Sequence, residues 1–148
     1  ADGGKPFSLR LHMPDPSALS FPMQAINRPS LWGHAMLQAF GRARIVVNID
    51  VDAFGAQPPN MRLIEATGAG AFLLTSHHPQ LGSFFSPGVE IETFKDQAEL
   101  VAKIRHYLAH DEERRTIARR GRERCLKERR LDQTAQHFHD MLIQKLAA

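Results

Sequence analysis

Asn60, Met61, Arg62 and Glu65 carry the strongest chemical signal in this 148-residue sequence. An Asn ahead of a run of helix formers is a helix N-cap, and the first N–H groups behind it, those of Met61 and Arg62, have no partner within the helix. The helix dipole adds partial positive charge at the same point. Together these make a site for a phosphate or diphosphate. Arg62 adds a charge-assisted contact. Glu65, about one turn further on, is placed to accept hydrogen bonds from sugar hydroxyls next to that phosphate. Gly68 and Gly70 allow the helix and the following strand to approach closely.

Other groups compete for a chemical role. His77-His78 sit on a loop near this segment, within reach of a donor or an acceptor, and His137-x-His139 form a second pair. Adjacent histidines point apart, the later pair falls on opposite sides of a helix, and neither has a carboxylate pair to complete a metal set. No metal is expected. Cys125 is the single cysteine, which excludes an intrachain disulfide framework and a multi-thiolate zinc site, and it lies on an apolar helical line that reads as core. Between Asp111 and Arg130 there are nine Lys/Arg against five Asp/Glu, a surplus of four, so the formal net charge of +3 leaves minus one for the remainder. A basic helix over residues 114–130, mixed in sign, reads as a solvated face, and nucleic acid is not the expected partner.

These residues need elements to hold them. Phe7–His12 alternates as a strand, Phe21–Ile26 reads as another, and Ser30–Phe40 as a helix closed by Gly41, with Trp32 packing that helix on a sheet. Arg44–Asp50 and Ala71–Thr75 are apolar runs of the kind buried on both faces of a parallel sheet. The loop Val51–Pro59 and the helix Met61–Thr67 lie between them, and Val89–Phe94 supplies a further strand. Asp96 and Glu99 form a capping box for a helix whose buried stripe is Leu100, Val101, Ile104 and Leu108. Helices from Asp111 to about Arg129 (Ile117, Gly121 and Cys125 in line) and from Asp132 (Ala135, Phe138, Leu142, Leu146) finish the chain. Strands alternating with helices predict an α/β fold, a Rossmann-like parallel sheet flanked by helices with a helical C-terminal run. Ligands in such sheets bind beyond the carboxyl ends of the strands.

The composition, 43% hydrophobic and 24% charged, is that of a globular protein. No apolar run approaches the roughly 20 residues of a membrane span. The opening Ala1–Pro6 has neither the apolar stretch nor the cleavage pattern of a secretion signal, so a cytoplasmic location is expected.

The run from Pro59 to Thr75 (PNMRLIEATGAGAFLLT) closely resembles the donor-site segment of GT-B glycosyltransferases, especially the family-1-like group that includes the CgeB spore-maturation proteins. Downstream, Phe85–Glu90, Phe94–Tyr107 and His110–Arg115 resemble that group's "PG-E" turn and its two following helices, in order. The likeness spans roughly Ala43 to Leu142. It implies the C-terminal, nucleotide-sugar-binding half of a two-domain hexosyltransferase-like enzyme, with residues 1–148 forming that one domain and the acceptor domain absent. It further implies that Glu65 holds the ribose hydroxyls, that the helix start at Asn60, Met61 and Arg62 faces the diphosphate, and that no cofactor or metal is required. Many retaining members carry a second Glu eight residues earlier; here that position is Gln57, beside the donor sugar, so the stereochemistry is left open. A membrane-surface or lipid-linked acceptor is an expected partner, and the isolated chain is expected not to turn over. The alternative is a non-catalytic Rossmann-like module that recognises RNA or another anionic partner through the basic helix.

Overall fold

The computed structural model describes residues 9–10, 17, 21–49, 60–128 and 131–146. The chain divides into two compact units, Ala1–Met36 and Leu37–Ala148. In the first, Phe21–Ile26 forms a short helix, α1, where the sequence suggests a strand. A six-residue apolar run carries no periodicity that separates the two. The strand expected over Phe7–His12 falls mostly outside the described residues. Helix α2 runs from Gly33 to Arg42 and straddles the boundary, starting later than expected and passing Gly41 without stopping: Ala43 N still donates to Ala39 O at 3.1 Å. Trp32 precedes the helix and is 71% exposed, so it does not take the packing role its size suggests.

The second unit is built on a three-stranded parallel sheet, β1 (Val46–Asn48), β2 (Leu73–Ser76) and β3 (Glu92–Phe94), in that spatial order. Val46 pairs with Leu73 and Leu74 with Glu92. Central β2 is buried throughout its apolar part, and its residues alternate between two cores. On one side Ala71 and Leu73 join Leu63, Ala66, Leu81, Phe85, Ile91 and Cys125; on the other Phe72 and Leu74 join Phe94, Tyr107, Ile117 and Ala118. Helices therefore cover both faces, as the unbroken apolar run of β2 requires. The equally apolar β1 is not buried on both faces: Val47 is 36% and Ile49 63% exposed.

Helix α3 (Arg62–Gly68) links β1 to β2. It ends in a Schellman motif. Gly70 adopts φ +82°, its N–H donates to Thr67 O, and Ala71 N donates to Ala66 O. Gly68 faces the later helix that carries Cys125 rather than the next strand, since a Cβ there would meet Cys125 Sγ at 3.3 Å. The short 3-10 turn Pro79–Ser83 leads towards β3. Helix α4 (Gln97–Ala109) begins at Asp96, whose carboxylate accepts from Glu99 N; Glu99 reaches back to Lys95 N rather than closing the box on Asp96. Tyr107, not Val101, is the buried residue of α4, because its ring lies on Phe72 (4.4 Å between centroids) and its hydroxyl donates to Glu92 Oε2 at 2.7 Å. Burial, then the bond to the Glu92 carboxylate, pushes the Tyr107 hydroxyl pKa well up.

Helix α5 (Asp111–Glu128) runs along the edge where the strands begin. Arg114 Nη1 donates to the carbonyl of Arg44, just ahead of β1, and a Cβ on Gly121 would stand 2.2 Å from the Glu90 carbonyl, just ahead of β3. Ile117, Gly121 and Cys125 are all buried, in the expected line. Helix α6 (Leu131–Leu146) keeps Phe138, Met141, Leu142, Ile143 and Leu146 exposed, so its apolar positions are uncovered rather than core.

Candidate functional site

At the opposite edge, where the strands end, Asn48 is the last residue of β1 and Thr75 and Ser76 close β2. Buried Asn48 donates through Nδ2 to Thr75 Oγ1 at 3.0 Å and accepts on Oδ1 from Asn60 Nδ2 at 3.3 Å. Asn60 in turn accepts on its own Oδ1 from Arg62 N at 3.0 Å. A continuous polar chain thus runs from the centre of the sheet to the first turn of α3. It fixes where that helix starts, and each buried polar atom in it has a partner, which is the condition for burying it at all. The sequence signal for Asn48 and Thr75 is their polarity at the end of an apolar run.

Met61 holds the N-cap position without a side-chain bond. Asn60, one residue ahead of it, supplies the capping oxygen through an Asx-type bond, which changes one expectation. The Arg62 N–H is taken by Asn60 and does not stand unpaired. Met61, in helical conformation just behind it, exposes 75% of its surface. Arg62 and Glu65 are brought together one turn apart, with Arg62 Nη1 donating to Glu65 Oε2; their side chains are 39% and 23% exposed. The guanidinium and carboxylate assigned to phosphate and ribose therefore engage each other, at the rim of the strand ends. Gln57 lies outside the described residues.

His77 and His78 follow β2 directly, on the same edge. His77 N donates to Phe94 O at 2.7 Å, tying this loop to the end of β3, and its side chain is exposed. His78 Nδ1 accepts from Gln80 N at 3.2 Å and so caps the 3-10 turn. The turn Ser86–Glu90 is closed by Glu90, whose Oε2 accepts from Ser86 N at 2.8 Å. Its carboxylate is structural. Along α5 the basic residues form ion pairs with the helix's own acids, Arg115 with Asp111 (2.7 Å) and Arg124 with Glu128 (2.9 Å), which leaves a mixed surface rather than a single-sign stripe. None of the helices among the described residues is long and apolar enough to cross a membrane.

Parallel strands with helices on both faces define a Rossmann-like α/β half, with a polar chain leading from the strand ends to a helix start. The structure is similar to sucrose-phosphate synthase from Thermosynechococcus elongatus, with a TM-score of 0.70 and 21% sequence identity, over 85% of this chain and 32% of that one. The chain thus spans about a third of that protein's length, and its fold is that of one half of a GT-B glycosyltransferase. Residues 9–140 match the family model described as glycosyl transferase-like, and the chain belongs to that family. Comparison with curated proteins gives no match.

Proposed function

We propose that this chain is the donor-binding half of a glycosyltransferase, holding a nucleoside-diphosphate sugar across the carboxyl ends of β1 and β2. The start of α3 (Asn60, Met61, Arg62) receives the diphosphate, Glu65 takes the ribose hydroxyls, and His77 and His78 border the donor. In the transfer, the bond between the anomeric carbon and the diphosphate breaks. The nucleoside diphosphate departs with the added negative charge, and an acceptor hydroxyl oxygen takes its place, its proton passing to the departing diphosphate or to water. Positive charge at Arg62 and the dipole of α3 oppose the build-up of that charge without a metal. A hydroxyl on an acceptor held by a second domain completes the reaction, so this chain alone binds but does not turn over.

The observation that carries this reading is the route from Asn48 through Asn60 to Arg62, which anchors the Arg62–Glu65 turn to the strand ends in a chain of the glycosyl transferase-like family. The reading is tested by calorimetry and thermal shift with UDP, GDP, TDP and ADP in the presence of a chelator. One of the four should bind and raise the melting temperature. Binding of all four equally weakly, with a steep dependence on salt, would point instead to non-specific anion binding through the basic helix.

A further inference from the structure

On the strand-start edge, away from the donor site, His106 lies in the last turn of α4, His110 at its C-cap and Glu113 on the first turn of α5. One ring nitrogen from each histidine and one carboxylate oxygen of Glu113 fall within 4.8 Å of one another, all three residues being exposed. This trio is the one group of its kind among the described residues; His77–His78 and His137–His139 do not form another. Arg44, ahead of β1, donates to Leu108 O at 2.9 Å, which fixes the trio at the end of the sheet opposite Asn48 and Thr75.

The hydrogen bonds set the protonation that a metal needs. His110 Nδ1 lies 2.8 Å from the His106 carbonyl. A carbonyl only accepts, so Nδ1 carries the proton and the neutral ring keeps its lone pair on Nε2. This is the backbone-anchored arrangement that orients metal-binding imidazoles. His106 Nε2 and Glu113 Oε2 lie 2.7 Å apart, so two of the three ligand atoms already meet. The two imidazoles stack with centroids 4.1 Å apart and 19° between planes, which sets both rings side by side at the same corner.

We propose that His106, His110 and Glu113 form a surface site for a divalent transition ion of the zinc class, which binds between the three ligand atoms. Two imidazoles and a carboxylate suit such an ion. Tetrahedral bonds of about 2.1 Å need ligand atoms roughly 3.3 Å apart, a closure that exposed side chains reach by small rotations. Water completes the shell. The ion joins α4 to α5 across the His110–Asp111 corner, so its role is to brace that corner rather than to act on the donor.

The test is calorimetric titration of the untagged, chelator-treated 148-residue chain with zinc chloride at pH 7.5, repeated with cobalt(II) and read by visible absorption. One equivalent should bind, with a melting temperature that rises on zinc addition. His110→Ala and Glu113→Gln should each weaken binding by roughly tenfold or more, while their melting temperatures in chelator stay near that of the parent. His77→Ala/His78→Ala and His137→Ala/His139→Ala should bind as the parent does. Absence of saturable binding in the parent, or affinity unchanged in His106→Ala/His110→Ala, would overturn the proposal.

Discussion

Arg62 and Glu65 hold each other on the half-buried first turn of α3, the guanidinium donating to the carboxylate that its own helix presents. The proposed donor brings both a diphosphate, which competes for Arg62, and a ribose, which competes for Glu65. Binding then exchanges one ion pair for two sets of charge-assisted bonds. Arg62→Ala should weaken a nucleoside diphosphate by roughly tenfold or more while leaving the weak binding of the bare nucleoside nearly unchanged, since the loss is of a phosphate contact. Equal loss for both ligands, measured by calorimetry, would assign Arg62 a purely structural part.

Asn48 gives a second expectation. Its side chain is buried, donates to Thr75 Oγ1 and accepts from Asn60 Nδ2. Asn48→Ala removes a partner from each and should cost about 1–3 kcal/mol in urea unfolding, because buried polar groups lose their bonds without regaining water. The start of α3 loosens with it, so diphosphate affinity should fall although Asn48 need not touch ligand.

Gly121 has no room for a side chain. A Cβ would lie 2.2 Å from the backbone oxygen of Glu90 and 3.5 Å from Thr67 Cγ2, and backbone cannot step aside as a flexible side chain can. Gly121→Ala should destabilise the chain by about 1–3 kcal/mol or more, as overpacked cores do. A thermal melt unchanged by the substitution would mean that α5 lies further from the β3 edge than described.

Acid should weaken the same edge. The bond from Arg114, followed by that from Arg44, holds the Asp111 carboxyl down to about 2 from its ordinary 3.8. A depressed carboxylate contributes stability that is present above the unfolded value and is lost as pH falls through the folded one. Stability should therefore decline from about pH 4 towards pH 2, and Asp111→Asn should flatten the part of that decline owed to this group. Melting temperature followed across that range, parent against variant, checks it.

The parts of the fold that the sequence makes legible are those whose burial is decided locally. Ala71–Leu74 is apolar throughout and leads into the central strand; Ile117, Gly121 and Cys125 recur at helical spacing and are all core. Arg44–Asp50 has the same apolar character as β2 yet leaves Val47 and Ile49 exposed, because such a run states what a strand can bury and not which neighbours cover it. The apolar positions of α6 fail in the same way. On α4, aliphatic spacing favours Val101, but a tyrosine with a carboxylate for its hydroxyl is the better core residue, and no spacing rule contains Glu92. At the site, the helix start and its cap are readable from Asn60 onwards. The bonds through Asn48 and Thr75 join residues 27 positions apart and emerge only when the strands pair.

The most direct measurement of the central claim is the affinity of the preferred nucleoside diphosphate for Glu65→Ala beside the parent, with the 2′,3′-dideoxy form of the same nucleotide as control. Loss of a charged hydrogen-bonding partner should weaken the ribose form by roughly tenfold or more and leave the dideoxy form nearly unaffected, with the melting temperature of the free protein little changed. An unaltered affinity of the ribose form for Glu65→Ala would contradict the account, and the nucleotide would have to be held elsewhere on the chain.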